Sequence, residues 1–380
     1  MAKIGIDYGT TNSSIVGYDS KNVTKLLLHT ERSVIASHES GEGSPKHDFL
    51  NHDEKVKDVL KQLIQRAVED KAESLGIDLS QAVFTVPLKF TARERKHLRK
   101  LARQSGINVT YFVHEPFAAL VGFFETNEKY GDATLALKNH EREKLLVFDW
   151  GGGTLDIVVA EISKNRLDER SMAELPDVAG EGINAELLML VGNKMVDSGL
   201  SKEICDKIIY NNLGQALDEA ERVKIQLSER EESNFFMEYV LDGELSSIDE
   251  VITRSEFEEA IEQEFVAKAI EKVEEALEKS LGDVDSARYS QFIQTVLVTG
   301  GSSNIPVIQR RLKEMFPKSK FLLDTRTKVP SIIAIGAAVI AEKGWHPRLT
   351  ADIMVGNYSK EHQNPEVLIS REHDLVWEGE

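Results

Sequence analysis

A short pattern that occurs twice in the chain constrains its fold more than any other feature. The first copy reads IGIDYGTTNSSIVGY at residues 4–18, and the second reads LLVFDWGGGTLDIVVA at residues 145–160. Each is an apolar run, an aspartate, an aromatic residue, glycine, threonine and a second apolar run. Asp7 and Asp149 are 142 residues apart, far beyond the period of a solenoid. The pattern therefore predicts two similar lobes rather than a repeat array.

Each copy predicts a β-hairpin, because two apolar strands flank a turn rich in Gly and Thr. The turn offers backbone N–H groups and hydroxyls to an anion, and the aspartate at the strand end can hold a hydrated cation. A polyphosphate that carries Mg2+ needs this combination. One copy alone is equally well explained as a simple tight turn. Two copies favour two lobes that close on one nucleotide.

Composition excludes several functional classes. The net charge of −18 argues against a nucleic-acid-binding function, although a bound nucleotide needs only a local pocket. Cys205 is the single cysteine, so neither an internal disulfide nor a cysteine-based zinc site is expected. The N-terminus leads directly into a predicted strand, and no apolar run is long enough to cross a bilayer. We therefore expect a cytoplasmic protein that binds neither nucleic acid nor membranes.

Hydrophobic periodicity predicts alternating strands and helices in both halves of the chain. Lobe I, residues 1–143, has a shortened outer subdomain at about 37–80. Lobe II, residues 144–343, has an acidic helical outer subdomain at about 197–285, whose charges we interpret as solvated helix faces. Residues 344–380 form a tail of mixed character. Helices are predicted at residues 54–75, 91–105, 185–195, 201–227, 253–281 and 331–342, and a further one begins at the corner around Pro116.

Six motifs, in order, resemble those of the nucleotide-binding domain of the seventy-kilodalton heat-shock chaperones (DnaK-like), within the actin-like ATPase superfamily. They are IDYGTTNS at 6–13, VHEPFAAL at 113–120, FDWGGGTLDIVV at 148–159, AGEGIN at 179–184, ERVKIQLS at 221–228 and VTGGSSNIP at 298–306. The resemblance covers roughly residues 4–342. It implies an α/β fold of two duplicated ribonuclease-H-like lobes around a central nucleotide cleft.

Phosphoryl transfer from ATP to water needs charge neutralisation, an aligned water and an acceptor for its proton. By the resemblance, Glu115 orients or deprotonates the water, Thr154 and Asp156 lie near the γ-phosphate, and Asp7 and Asp149 hold the waters around Mg2+. The phosphates are expected to contact Gly9, Thr10, Thr11, Asn12, Gly151, Gly152, Gly153 and Thr154. The nucleoside and ribose are expected beside Gly180, Glu181, Glu221, Lys224, Ser228, Gly300, Gly301 and Ser302.

Most of these residues also have a purely structural interpretation. Glu115 at a strand-to-helix corner is equally a helix cap, and Asp156 is equally a turn carboxylate. Gly180 and Glu181 are equally a helix entry. Glu221 and Lys224 have the spacing of a surface salt bridge. These alternatives remain open at the level of sequence.

The chain also departs from the family pattern. The family has a larger outer subdomain with a catalytic lysine that contacts the phosphates, whereas the corresponding loop here offers only Lys46, which is equally a solvated lysine. If Lys46 is not catalytic, hydrolysis is expected to be slow. Ser331 stands where the family usually has an acidic residue. The family continues into a peptide-binding β-sandwich, and the tail at 344–380 is too short to form one, so we expect either a truncation or a different output.

The leading hypothesis is a Mg2+-dependent ATP hydrolase of chaperone type whose lobes open and close with the nucleotide state. ATP or ADP and Mg2+ are the expected cofactors, with K+ left open as a further ion. A J-domain-type co-chaperone or a nucleotide-exchange factor is the candidate partner, and the sequence does not identify a client. Two alternatives are an actin-like filament-forming ATPase and a nucleotide-sensing module with little turnover. A small-molecule kinase is disfavoured, because no acceptor-binding insert is recognisable.

Overall fold

A computed structural model of the chain describes residues 2–9, 12–19, 24–32, 53–69, 77–88, 90–126, 142–163, 166–176, 178–241, 243–323, 332–345, 353–355 and 366–369. The predicted strand at 33–36, the loop around Lys46 and the end of the helix predicted at 54–75 lie outside these residues. Much of the tail does so as well. Among the described residues, no helix is both long enough and apolar enough to cross a membrane.

Lobe I is built on a mixed sheet of five strands in the described part of the chain. The strands are β1 (Ala2–Tyr8), β2 (Asn12–Asp19), β3 (Thr24–Arg32), β4 (Ile77–Val86) and β5 (Asn108–His114). Their order is β3-β2-β1-β4-β5. The first three strands are antiparallel neighbours, and β4 and β5 run parallel to β1. Asp7 pairs with Ser14 across β1 and β2, which confirms the predicted hairpin.

Lobe II repeats this topology in its own described residues. Its strands are β6 (Lys144–Trp150), β7 (Thr154–Ser163), β8 (Arg166–Pro176), β11 (Thr295–Thr299) and β12 (Lys320–Leu323). The order β12-β11-β6-β7-β8 is that of lobe I read from the other edge, and the same pairs are parallel and antiparallel. The prediction of two duplicated lobes is confirmed.

One helix provides the crossover that the parallel neighbours β4 and β5 need, and two more lie before β4 and after β5 in the described part of lobe I. In chain order the three helices are α1 (Asp53–Glu69), α2 (Ala92–Gln104) and α3 (Glu115–Thr126). Thr91 and Glu94 form a capping box, which satisfies amides that the first turn of α2 leaves unpaired. α3 begins directly where β5 ends, with Pro116 in its first turn, as predicted.

Lobe II carries a large insertion between β8 and β11. It comprises α4 (Gly180–Asp197), α5 (Lys202–Asn211), α6 (Leu213–Glu229), the hairpin β9 (Glu232–Leu241) and β10 (Glu244–Thr253), α7 (Arg254–Ile261), a π-helical turn (Glu262–Ala267), α8 (Lys268–Leu281) and α9 (Tyr289–Phe292). α4 begins at Gly180 rather than at the predicted residue 185. The helix predicted at 201–227 is interrupted at Asn212, and the one at 253–281 contains the π turn.

The remaining elements follow β11. They are α10 (Pro306–Met315), α11 (Ile332–Lys343), β13 (Ile353–Val355) and β14 (Glu366–Ile369). β13 and β14 pair as an antiparallel hairpin, which matches the two short apolar pieces of the tail.

One of the apolar core clusters contains residues of both lobes. α11 is buried on almost all sides and packs against β1 of lobe I, although it lies at the end of lobe II in sequence. The approach is close enough that a Cβ on Gly5 would lie 2.2 Å from the amide nitrogen of Ala338. α3 crosses α11 at Gly122 and Gly336, which meet backbone atoms of the opposite helix in the same way. Backbone contact without side chains in between therefore fixes this junction.

Candidate functional site

Asp7 and Asp149 occupy equivalent positions near the ends of the two central strands. Asp7 on β1 pairs with Ser14 on one side and with Thr85 on the other. The Thr85 hydroxyl donates a hydrogen bond of 2.9 Å to Asp7 Oδ1. Asp149 on β6 pairs with Asp156 on one side and Thr299 on the other. Both carboxylates are buried, so the sheets bring each to the end of a strand with little water around it.

Asp156 is the most perturbed carboxylate in the described part of the chain. It lies within β7 and is 1% exposed, which rules out the interpretation as a turn carboxylate. Thr154 Oγ1 donates to Asp156 Oδ2 at 3.1 Å, and the Leu88 amide of lobe I donates to Asp156 Oδ1 at 3.4 Å. Burial raises the pKa of Asp156 well above its usual range, and the negative charges of Glu115 and Glu174 raise it further.

Glu115 is the first residue of α3 and is 7% exposed. Its negative charge raises the pKa of Asp156, so these two carboxylates interact electrostatically across the two lobes. Glu174 completes this group from β8, where it pairs directly with Asp156. No sequence motif marks Glu174, because only the register of β8 on β7 brings it to the site.

The glycine turn of lobe II is held by the start of α4. The amides of Gly180 and Glu181 donate to the carbonyls of Gly151 and Gly152 at 3.1 and 2.8 Å. The Ser302 hydroxyl also donates to the Gly151 carbonyl, at 2.8 Å. The early start of α4 is what brings these two amides to the turn. Their interpretation as a helix entry is thus correct, and the same contacts place them beside the predicted phosphate loop.

Lys224 is buried, which distinguishes it from a surface salt-bridge partner. Its Nζ donates to Glu221 at 2.5 Å and to the Gly180 carbonyl at 3.0 Å. Burial lowers the pKa of Lys224, while the charges of Glu221 and Glu181 act in the opposite direction. The pair therefore ties α6 to the first turn of α4. Ser228, one turn further on, donates its hydroxyl to the Lys224 carbonyl at 3.2 Å within the helix.

Asn184 joins this group and was missed at the level of sequence. Its side-chain amide donates to Glu221 at 2.8 Å, whereas its buried Oδ1 atom has no hydrogen-bond partner. An unpaired buried acceptor is costly unless a donor reaches it. AGEGIN is one of the six motifs, but no local pattern shows that its last residue, Asn184, faces inward.

Gly300 and Gly301 differ in their surroundings. Gly300 has φ +86, and a Cβ there would lie 2.4 Å from the Trp150 carbonyl and 2.7 Å from Asp149 Oδ1. Gly301 would meet nothing within 4 Å. Gly300 thus allows the backbone to pass the end of β6, and Gly301 faces open space.

Several predicted site residues cannot be located. Thr10, Thr11 and Lys46 lie outside the described residues, as does Ser331, and the side chain of Asn12 is not described. Gly9 is half-buried at the end of β1, and Gly153 is buried within the second turn.

The described residues fit a Mg2+-nucleotide. No group of three or more potential metal ligands is found among them, so an all-protein metal cage is absent there. Two carboxylates from two lobes suit Mg2+, which retains most of its water ligands. The open space at Gly301 and the unpaired Asn184 Oδ1, near buried Lys224 and Glu221, suit a ligand that carries hydrogen-bond donors, such as a nucleoside.

Known proteins are similar in sequence to most of this chain. A family model described as Hsp70 protein matches residues 16–343. A chaperone protein dnaK of Cyanidioschyzon merolae is 27% identical over 348 residues, covering 88% of this chain and 52% of that protein. A chaperone protein DnaK of Thermosipho melanesiensis is 25% identical over 378 residues, covering 89% and 58%. The chain therefore spans about half the length of the curated relatives it matches.

Proposed function

The chain belongs to the Hsp70 family, and we propose that it binds Mg2+-ATP between its lobes and hydrolyses it slowly. One observation carries the proposal. Two sheets of the same topology end in the equivalent buried carboxylates Asp7 and Asp149, and Glu115 of lobe I and Asp156 of lobe II are buried carboxylates whose charges interact.

Each group has a role in this proposal. The glycine turns bind the phosphates through backbone amides, and Asp7 and Asp149 hold water ligands of Mg2+. The metal ion would neutralise phosphate charge during transfer. Glu115 orients the attacking water and accepts its proton, while Thr154 and Asp156 line the γ-phosphate side. Gly180, Glu221 and Lys224 hold the nucleoside.

The finer points are also proposals. Lobe opening and closing with the nucleotide state would transmit the cycle to a partner, for which a J-domain-type co-chaperone or a nucleotide-exchange factor is the candidate. K+ is a candidate second ion and Lys46 a candidate phosphate contact. We also propose a cytoplasmic location and retain the lobe boundaries given above.

The test is ATP binding and single-turnover hydrolysis with Glu115→Gln. We expect micromolar or tighter affinity for ATP in Mg2+, and a loss of turnover of about 100-fold in the variant with little change in affinity. Glu125→Gln is the matched control, because Glu125 is also a buried glutamate of α3 but accepts a hydrogen bond from Tyr18 at the other end of the helix. Its turnover should stay within about twofold of the wild type.

Three results would change the proposal. Nucleotide affinity no better than millimolar would overturn it. Tight ATP binding with turnover that does not depend on Glu115 would instead favour the nucleotide-sensing module. Light scattering that rises with ATP would favour the filament-forming alternative.

A further inference from the structure

His114 is the last residue of β5 and directly precedes Glu115. Both of its ring nitrogens have partners. Nε2 lies 3.1 Å from a terminal guanidinium nitrogen of Arg95, and Nδ1 lies 3.4 Å from Glu169 Oε2. Neither partner was singled out in the sequence, and none of the roles proposed above uses this histidine.

These partners determine the state of the ring. A guanidinium only donates hydrogen bonds, so Nε2 must be the acceptor and carries no proton. The proton of neutral His114 therefore sits on Nδ1, where it is donated to the Glu169 carboxylate. A ring protonated on both nitrogens would direct an N–H at Arg95 and lose that hydrogen bond. His114 can satisfy both neighbours only as this one tautomer.

The two partners come from different lobes. Arg95 lies on α2 of lobe I, and Glu169 lies on β8 of lobe II. The ring is thus a bridge across the boundary between the lobes. The Leu88 amide of lobe I reaches Asp156 of lobe II across the same boundary. Glu115, whose charge acts on Asp156, therefore lies next to two polar contacts that both depend on how the lobes are placed.

The surroundings of Arg95 make this bridge sensitive to the placement of the two lobes. Its guanidinium is half-buried, its Nε atom is buried without a hydrogen-bond partner, and burial lowers its pKa. A desolvated cation benefits strongly from each acceptor that remains. If Glu169 moves away with lobe II, the ring of His114 loses the partner at Nδ1 that orients its Nε2 towards Arg95.

We propose that His114 is a positioning residue that couples the placement of lobe II to the orientation of Glu115. The proposal rests on the proposed ATP hydrolysis and extends it. When Glu169 approaches, the ring is held at both nitrogens, and the peptide that joins His114 to Glu115 is fixed at the start of α3. When lobe II moves away, the ring loses Glu169, and the first turn of α3 is no longer held from both sides. Hydrolysis then depends on closure without any direct contact between His114 and the nucleotide.

The test compares His114→Gln with His114→Phe. A Gln carbonyl can accept from Arg95 while its amide donates to Glu169, so Gln should retain turnover within about twofold. Phe fills a similar volume without either hydrogen bond, and kcat should fall about tenfold, since small misplacement of a catalytic group is enough for such a loss. The ATP KM should change less than twofold, because His114 does not bind the nucleotide.

Glu169→Ala removes the bridge from the other lobe. It should lower kcat as His114→Phe does, and the double variant should be no worse than either single one, because both changes remove the same contact. His97→Phe is the matched control. His97 is likewise half-buried and hydrogen-bonded to a carboxylate, Asp53 at 2.6 Å, but that pair lies entirely within lobe I. Its kcat should not change by more than twofold.

The outcomes separate the two proposals. If the wild type binds ATP but does not hydrolyse it, the proposed hydrolysis fails and the coupling fails with it. If the wild type hydrolyses ATP and His114→Phe does so equally fast, the coupling alone is overturned. Equal loss in His114→Phe and His114→Gln, additive losses in the double variant, or a loss in KM rather than kcat would also overturn it. Thermal unfolding of each variant identifies any that fails to fold. If a His114 variant fails to fold, the kcat of Glu169→Ala tests the coupling instead.

Discussion

The two lobes have the same sheet but place different side chains beside the central aspartate. In lobe I, Asp7 is flanked by the hydroxyls of Ser14 and Thr85. In lobe II, Asp149 is flanked by the hydroxyl of Thr299 and by the carboxylate of Asp156. The frame is thus duplicated, whereas an extra buried carboxyl group is found at this position only in lobe II. We infer that the two similar sheets together bind the metal-nucleotide. We also infer that the carboxyl group of Asp156, whose equivalent in lobe I is Ser14, supports the reaction.

The lobes also differ in what covers them. Lobe I uses Gly5 in its central strand to admit α11, whereas the equivalent position in lobe II is Val147. Lobe II instead receives the helical insertion, whose first helix is tied to the glycine turn by Gly180 and Glu181. Lobe I therefore contacts the rest of the molecule through α11 in its apolar core. Lobe II carries its additional helices next to its glycine turn. Four predictions test this contrast.

The largest effect is expected at the position where the lobes differ. Asp156→Ala removes the acceptor of both the Thr154 hydroxyl and the Leu88 amide, and turnover should fall about 100-fold. Ser14→Ala, the equivalent change in lobe I, should alter turnover by less than about twofold. Single-turnover ATP hydrolysis measures both. Equal losses would show that the two positions do not differ in function.

The next effect concerns the backbone at the end of the central strand of lobe II. Gly300→Ala should lower the free energy of unfolding by about 2–4 kcal/mol, because φ is +86 and the new Cβ would clash with the Trp150 carbonyl. Gly301→Ala, one residue on, meets nothing within 4 Å and should cost less than about 0.5 kcal/mol. Urea unfolding distinguishes the two, and similar costs would contradict the assigned geometry.

A smaller effect tests the equivalence of the two aspartates. Asp7→Asn and Asp149→Asn should each weaken the Mg2+-dependent part of ATP affinity by about tenfold, because we propose that each carboxylate holds metal-bound water. Calorimetric titration with Mg2+ and with a chelator measures this part. A loss of Mg2+-dependent affinity in one variant only would show that only one of the two aspartates contributes to metal binding.

The smallest effect is expected at a helix capping box of lobe II, which differs from the capping box of lobe I by one ion pair. Thr253 and Glu256 of lobe II repeat the arrangement of Thr91 and Glu94 in lobe I, but Glu256 also pairs with Lys194 at 2.6 Å. Hydrogen bonds from Lys194 and Thr253 lower the pKa of Glu256 to about 2. Because the folded-state pKa lies below the unfolded value, this stabilisation is complete above about pH 4.5 and is lost as the pH falls towards 2.

Glu256→Gln should therefore lower the free energy of unfolding at pH 7 by less than about 1 kcal/mol, because the pair is partly exposed. The difference from the wild type should shrink between pH 4.5 and 3. Lys194→Met should show the same trend through the loss of the ion pair. A difference that is constant over this pH range would show that the charge of Glu256 is not what stabilises the folded state.

Much of the frame could be predicted from local patterns. The hairpins, the capping boxes and the helix at Pro116 depend on residues within a few positions of one another, so their chemistry is visible in sequence. The boundaries that were wrong have non-local causes. α4 begins five residues early because its first amides bond to the turn at Gly151 and Gly152, and the break at Asn212 allows α5 and α6 to pack on different parts of the insertion.

The sequence by itself determined that the chain has two equivalent lobes, since the repeated strand, aspartate and glycine turn specify the same hairpin twice. Only the tertiary structure decided which other groups join the site. Glu174 reaches Asp156 through strand register, Asn184 and Lys224 through the packing of α6 on α4, and His114 meets Glu169 across the boundary of the lobes. These contacts join residues far apart in the chain, and their distances are set by packing, which no local pattern encodes.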